Sequence, residues 1–188
     1  MDINLHYKLN VQSKKIQNSM ATKWLLDPTH SELTFKVRHM MISNVKGEFR
    51  NFNAEIEADD DSFTNAKTTA FVDTDSIWTN NTDRDNHLKS AEFFDAGNNP
   101  KITFESSSLT DTVVGNLTIN GVTKPVELNV EFGGINKDPW GNTKAGFSFE
   151  GKISRKDFGL SWNAALETGG VMISDEVKLA GELQFVKQ

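Results

Sequence analysis

From Trp24 onward, apolar residues recur at every second position. In ELTFKVRH, Leu33, Phe35 and Val37 share one face, and Glu32, Lys36 and Arg38 the other. FNAEIEA groups Phe52, Ala54, Ile56 and Ala58, and KITFES sets Ile102 and Phe104 against Lys101, Thr103 and Glu105. PVELNVEF, KAGFSFEGKI and VKLAGELQF repeat the pattern. A period of two is the signature of a strand with one buried and one wet face. Strands buried on both faces would read as continuous apolar runs, so the sheet is expected to be antiparallel.

The turns agree. Asn120-Gly121 lies between two alternating segments and reads as a type I′ hairpin. Asp138-Pro139-Trp140-Gly141 reads as a second turn, and Pro125 sits at a strand start, where its missing donor is tolerated. About eight strands with short connections fit an all-β sandwich or barrel. In a sandwich the two inner faces meet in a solid core. In a closed barrel of about eight strands they surround room for one small ligand. Periodicity admits both.

The chain of 188 residues suits one domain. Residues 1–21 are read as a polar N-terminal extension, expected to be disordered, and residues 22–188 as the β domain. That leader has no apolar core of a secretory signal, so the expected compartment is cytoplasmic. No run reaches the roughly 18 to 20 apolar residues of a membrane span. A net charge of −6 without a basic block argues against nucleic acid. With no cysteine, thiolate chemistry and Cys-based zinc sites are excluded.

The alternation stops between Asp75 and Pro100, and TDRDNHLKSA, residues 82–91, reads as a short helical insert. At about 100° per residue, Arg84, His87, Leu88 and Ala91 gather on one face, with Asp85, Asn86 and Lys89 opposite. Thr82 is expected as N-cap, and Asp85 with Lys89 as an exposed i,i+4 pair. Leu88 and Ala91 mark the docking face, which carries Arg84 and His87 inward. These two either close one end of the fold structurally, Arg84 pairing with a carboxylate and His87 bonding to backbone, or meet a polar ligand head, for which a forked guanidinium is suited.

Other chemistry has weaker signals. Ser31 follows His30, but no G-x-S-x-G elbow is present. His30, His39 and His87 lack metal-ligand spacing, and no metal or other cofactor is expected. Gly169-Gly170 lacks a following Lys and reads as a turn. The acidic run from Glu57 to Asp61 lacks the ligand pattern of a calcium loop. Met40, Met41 and Ile42 form an apolar patch after a strand, read either as core or as a flexible entrance, since methionine adapts to irregular apolar shapes.

Several short motifs recur in one order. They are W-x-x-D-x-x-H-S-x-x-x-F-x-V-x-H (Trp24 to His39), G-x-F (Gly47 to Phe49) and S-I-x-T (Ser76 to Thr79), then R-D-x-H-L (Arg84 to Leu88) and F-F-D (Phe93 to Asp95). P-x-I-T-F (Pro100 to Phe104), G-x-L-T-I-x-G-V-T-K (Gly115 to Lys124) and R-x-D-F-G (Arg155 to Gly159) follow. Together they resemble the YceI-like family over residues 24 to about 186. The resemblance implies an antiparallel eight-stranded lipocalin-like barrel whose interior holds a long-chain lipid, a polyisoprenoid in the best-known members and fatty-acid derivatives in others. Many relatives are periplasmic.

The expectation that follows is non-catalytic binding, storage or transport of such a lipid. The wall would be Phe35 and Val37, Ile56, Phe104, Leu117, Val130, and Phe147 with Phe149. Met40, Met41, Arg84, His87 and Leu88 would form the entrance or meet the head group. Ten buried methylenes at ~0.8 kcal/mol each contribute about 8 kcal/mol, near micromolar affinity before ordering costs. The alternatives are an interaction module with a filled core, using for instance the turn at Trp140, and a lipid-modifying enzyme. A homodimer is compatible with the sequence.

Overall fold

The computed structural model describes residues 21–167 and 169–188, so the expected leader falls outside it except for Ala21. The strands are β1 (Thr22–Leu26), β2 (Glu32–His39), β3 (Ser43–Phe49), β4 (Phe52–Ala58), β5 (Lys67–Asp73), β6 (Ile77–Trp78), β7 (Lys101–Ser106), β8 (Thr112–Ile119), β9 (Val122–Lys137), β10 (Thr143–Ser154) and β11 (Ile173–Lys187). Among the described residues one α-helix, α1 (Thr82–Lys89), stands between β6 and β7.

Pairing runs β1-β4-β5-β7-β8-β9-β10-β11, and β11 pairs back with β1. That closes an eight-stranded antiparallel barrel, as the motifs imply. The remaining strands extend three of its members. β2 prolongs β1 along β11, β3 lies between β2 and β6, and β6 prolongs β5. Between β1 and β2 the chain breaks at a 3-10 turn, Pro28–His30, whose cap Asp27 accepts from the Thr29 amide at 3.1 Å. A second such turn, Thr74–Ser76, separates β5 from β6.

Strand direction places the β2–β3 tip, α1, the 120–121 hairpin and residues 155–172 at one end, called upper here. Residues 59–66, 107–111 and 138–142 lie at the lower end. Asn120 and Gly121 have φ of 54° and 72°, the paired left-handed conformation of a type I′ turn. The Asn120 side chain donates to the Phe93 carbonyl and accepts from Asn99, tying this hairpin to the segment after α1.

Two apolar clusters fill the ends. The lower one centres on Trp24, Phe63, Phe147 and Phe185, with Phe63 meeting Phe147 edge-on at 5.1 Å. The upper one holds Phe49, Ile77, Ile102, Phe158 and Leu160. Burying each large side chain contributes roughly 1.5–3 kcal/mol. Between the clusters the wall is not packed solid. Val126, Leu128 and Val130 alternate inward along β9 yet are only half-buried. The last inward residue of that run, Phe132, is 43% exposed, beside a bulge opposite Gly146 and Phe147 that breaks the register.

The helical insert forms, with two corrections. Asn81, not Thr82, is the N-cap, its side chain accepting from the Arg84 amide at 2.9 Å. Asp85 is not on a wet face. It is buried and accepts from the Thr79 amide at 2.8 Å and from the Thr79 hydroxyl, while Lys89 pairs with Asp75 at 3.3 Å. A backbone donor left over after β6 outweighs the helix's weak apolar face.

Candidate functional site

The barrel encloses a cavity of about 390 Å³, within the roughly 300–1,000 Å³ typical of small-molecule sites. Phe35 and Val37 reach it from β2, Ile56 from β4, Phe104 from β7, Leu117 from β8, Val130 from β9, and Phe147 and Phe149 from β10. Period two brings them together because alternate side chains of every strand point inward. Along β11 the lining runs from Ile173 to Phe185. At ~3.3 Å per residue that is about 40 Å of strand, or roughly 30 Å along the axis at a tilt near 40°. The cavity is therefore long and narrow.

Its bore is set by glycines. Gly47 stands opposite Phe35, and Gly181 opposite Phe149, while Gly115 lies beside Phe104 diagonally across β7 and β8. Each ring's outer edge occupies the place of the missing side chain, and a Cβ at any of the three glycines would overlap it. Three bulky side chains are thereby held against the wall, leaving the centre open.

The upper end carries the polar groups. Arg84, His87 and Leu88 all line the cavity there. Arg84 donates from Nε to the Thr79 hydroxyl at 2.7 Å and from Nη2 to the Thr79 carbonyl at 2.6 Å. Among the described residues no ion pair includes Arg84, so the carboxylate partner considered from sequence is replaced by a neutral threonine. His87 bonds through Nε2 to Glu92, not to backbone, and stands edge-on to Phe93 and Trp162 at 5.0 and 4.9 Å.

Arg155, Trp162 and Met172 were not singled out as lining from the sequence, although Arg155 opens R-x-D-F-G. Arg155 is 3% exposed. Its Nε donates to the Ser174 carbonyl at 2.9 Å and its Nη1 to the carbonyls of Leu160 and Trp162. Burial lowers its pKa from the ordinary arginine value, and the Asp175 carboxylate at 3.3 Å opposes that shift. Its work is to fasten residues 160–162 onto β11 and so keep Trp162 beside His87. Near the lower end, the Thr68 hydroxyl is buried without a partner among the described residues.

Met40 and Met41 are neither core nor lining. They stand on the β2–β3 turn, with φ of 49° and 61°, and are 40% and 55% exposed. Met172 takes the lining place beside them, accepting at its carbonyl from the Met40 amide at 2.7 Å. His39 lines the cavity, but His30 is outside it, bonded to Asp27 at 2.9 Å. The three histidines do not converge.

The YceI-like domain model matches residues 24–185. A UPF0312 protein of Staphylococcus aureus strain N315 is 43% identical over 166 residues, covering 87% of this chain and 97% of its own. The crystal structure of the Campylobacter jejuni YCEI protein is similar at a TM-score of 0.69 and 34% identity, covering 80% of this chain and 89% of that one. A polyisoprenoid binding domain from Saccharophagus degradans superimposes at a TM-score of 0.67, with 16% identity, over 88% of this chain and 98% of its own, a likeness of fold.

Proposed function

The chain belongs to the YceI-like family, and on that premise we propose that it binds a long-chain lipid in the barrel, without catalysis, as a store or carrier. The observation that carries this reading is the long, apolar cavity between two packed ends. A solid core would have buried Val126, Leu128 and Val130; here they are half-buried and line the cavity. A polyisoprenoid suits the narrow bore, and the fold-level likeness to a domain described as polyisoprenoid binding supports that choice. The tail would lie along Phe35, Phe104, Leu117 and Phe149. A polar head would sit at the upper end, where Arg84 lacks an anionic partner among the described residues and Trp162 and His87 offer aromatic surface.

Native mass spectrometry of the purified protein, before and after incubation with prenyl lipids and fatty acids, tests the proposal. An added mass of a few hundred daltons or more, lost on solvent extraction, is the expected result. A bare protein mass under every condition would overturn it. Chemical change of the bound lipid that disappears in His87→Ala would replace storage with turnover.

A further inference from the structure

We infer that the β2–β3 tip and a row of lysines beside it form an edge that docks on the surface of an anionic lipid bilayer. The inference rests on the carrier reading for its purpose but on different residues for its evidence.

The first observation is the tip. Met40, Met41 and Ile42 are 40%, 55% and 76% exposed, and Val171, on the adjoining upper loop, is 40% exposed. The Met41 carbonyl accepts from Arg38 Nη2 at 2.8 Å and the Ile42 amide donates to His39 at 3.1 Å, so the apolar side chains are displayed on a held turn. The patch is continuous with the cavity. His39 lines the interior and immediately precedes Met40, and Met172 lines it and immediately follows Val171.

The second observation is electrostatic. Lys46 stands opposite Lys36, Lys36 opposite Lys178, and Lys178 opposite Lys152. Directly opposed residues share a face, so four exposed ammonium groups form one row across β3, β2, β11 and β10. Among the described residues only Lys152 of the four has an acidic partner, Glu176 at 3.5 Å. Glu48 and Glu150 lie one step below the row, away from the tip, with Glu48 bound to Arg50, while Glu176 lies one step toward the tip and is held by Lys152. Like charges so opposed weaken a sheet. In a chain of net charge −6, such a row calls for an anionic counterpart.

Geometry joins the two. Lys36 is about 13 Å from Met40 at ~3.3 Å per residue. An apolar tip seated roughly 5–10 Å into the headgroup boundary brings lysine ammonium groups to the level of the phosphates. The cavity's upper end then faces the source of its ligand.

The test is sedimentation of the full chain with vesicles of phosphatidylcholine alone or mixed with phosphatidylglycerol. Co-sedimentation with the mixed vesicles only, weakened by added salt, is expected. Each lysine removed should lower affinity about fivefold, so Lys36→Ala/Lys178→Ala should lose about thirtyfold while melting no earlier than the parent. Met41→Asp should lose binding even at low salt. Equal sedimentation with neutral vesicles, no sedimentation, or lysine variants that bind like the parent would each overturn the inference. So would a concentration-dependent dimer abolished by Met41→Asp without vesicle binding, which would assign the tip to a second copy. Lipid uptake from detergent, measured on the same sample, separates the two readings. Uptake without sedimentation removes the docking edge and leaves the carrier, whereas sedimentation without uptake retains the edge alone.

Discussion

Gly115 has no side chain to read, yet it determines where the Phe104 ring lies. Gly115→Ala should drive that ring toward the cavity, costing about 1–3 kcal/mol in denaturant unfolding and reducing uptake of branched prenyl chains more than of straight fatty acids. Adding Phe104→Leu should restore uptake but only part of the stability, because the new methyl also meets the Glu105 carbonyl. The inward positions of Phe35, Phe104 and Phe149 were legible from alternation. Their seating over glycines was not, because it depends on which residue the neighbouring strand presents. Arg84 was legible as inward-facing, while its bonds to Thr79 belong to tertiary structure. Arg84→Ala should weaken binding of lipids with charged heads more than of neutral ones, as read by competition with a fluorescent lipid. Equal losses would remove the head-group role.

Among elements, α1 shows where helical periodicity misleads. With only eight residues, its orientation is decided by what it must satisfy at β6 more than by its own apolar stripe. Asp85→Ala should cost about 2–4 kcal/mol, since it strands the buried Thr79 amide and hydroxyl, whereas Asp83→Ala should be nearly neutral. Chemical denaturation distinguishes them.

The break between β1 and β2 depends on Asp27, whose carboxyl is held well below the ordinary range first by the Lys144 ammonium at 2.8 Å and then by the Thr29 hydroxyl. A depressed folded-state pKa adds stability above the unfolded value of 3.8 that is lost as pH falls through the folded one. Asp27→Asn should therefore melt earlier than the parent near neutrality, and the gap should narrow as pH drops below about 4. A gap independent of pH would show that packing, not charge, holds the break. The motif W-x-x-D marks this Asp in the sequence, but its partner lies over a hundred positions away and carries no local signal.

At the scale of the whole molecule, alternation fixed the class but not closure, because two facing sheets and one closed sheet bury the same stripes. The ordered motifs implied the barrel. They did not reveal that β1 with β2, β3 with β4 and β5 with β6 are single courses interrupted midway. The weak alternation of SNVKGEF, with glycine at an inward position, and of KTTAFVD, where Phe71 packs outside beneath Lys101, hid β3 and β5. A ligand at a hundred times its dissociation constant should add about 2.7 kcal/mol to unfolding. The matching rise in melting temperature should vanish in Phe147→Asp, which places a charge where lower cluster and cavity meet.

The pairing of Trp24 with Lys187 has a consequence for synthesis. The barrel strand nearest the N-terminus among the described residues waits for the one nearest the C-terminus before the ring can shut, and until then the nascent sheet is an open trough with its oily side uncovered. Contacts so distant along the chain are slow to form. On the carrier reading, that interval would let a lipid be wrapped instead of threaded.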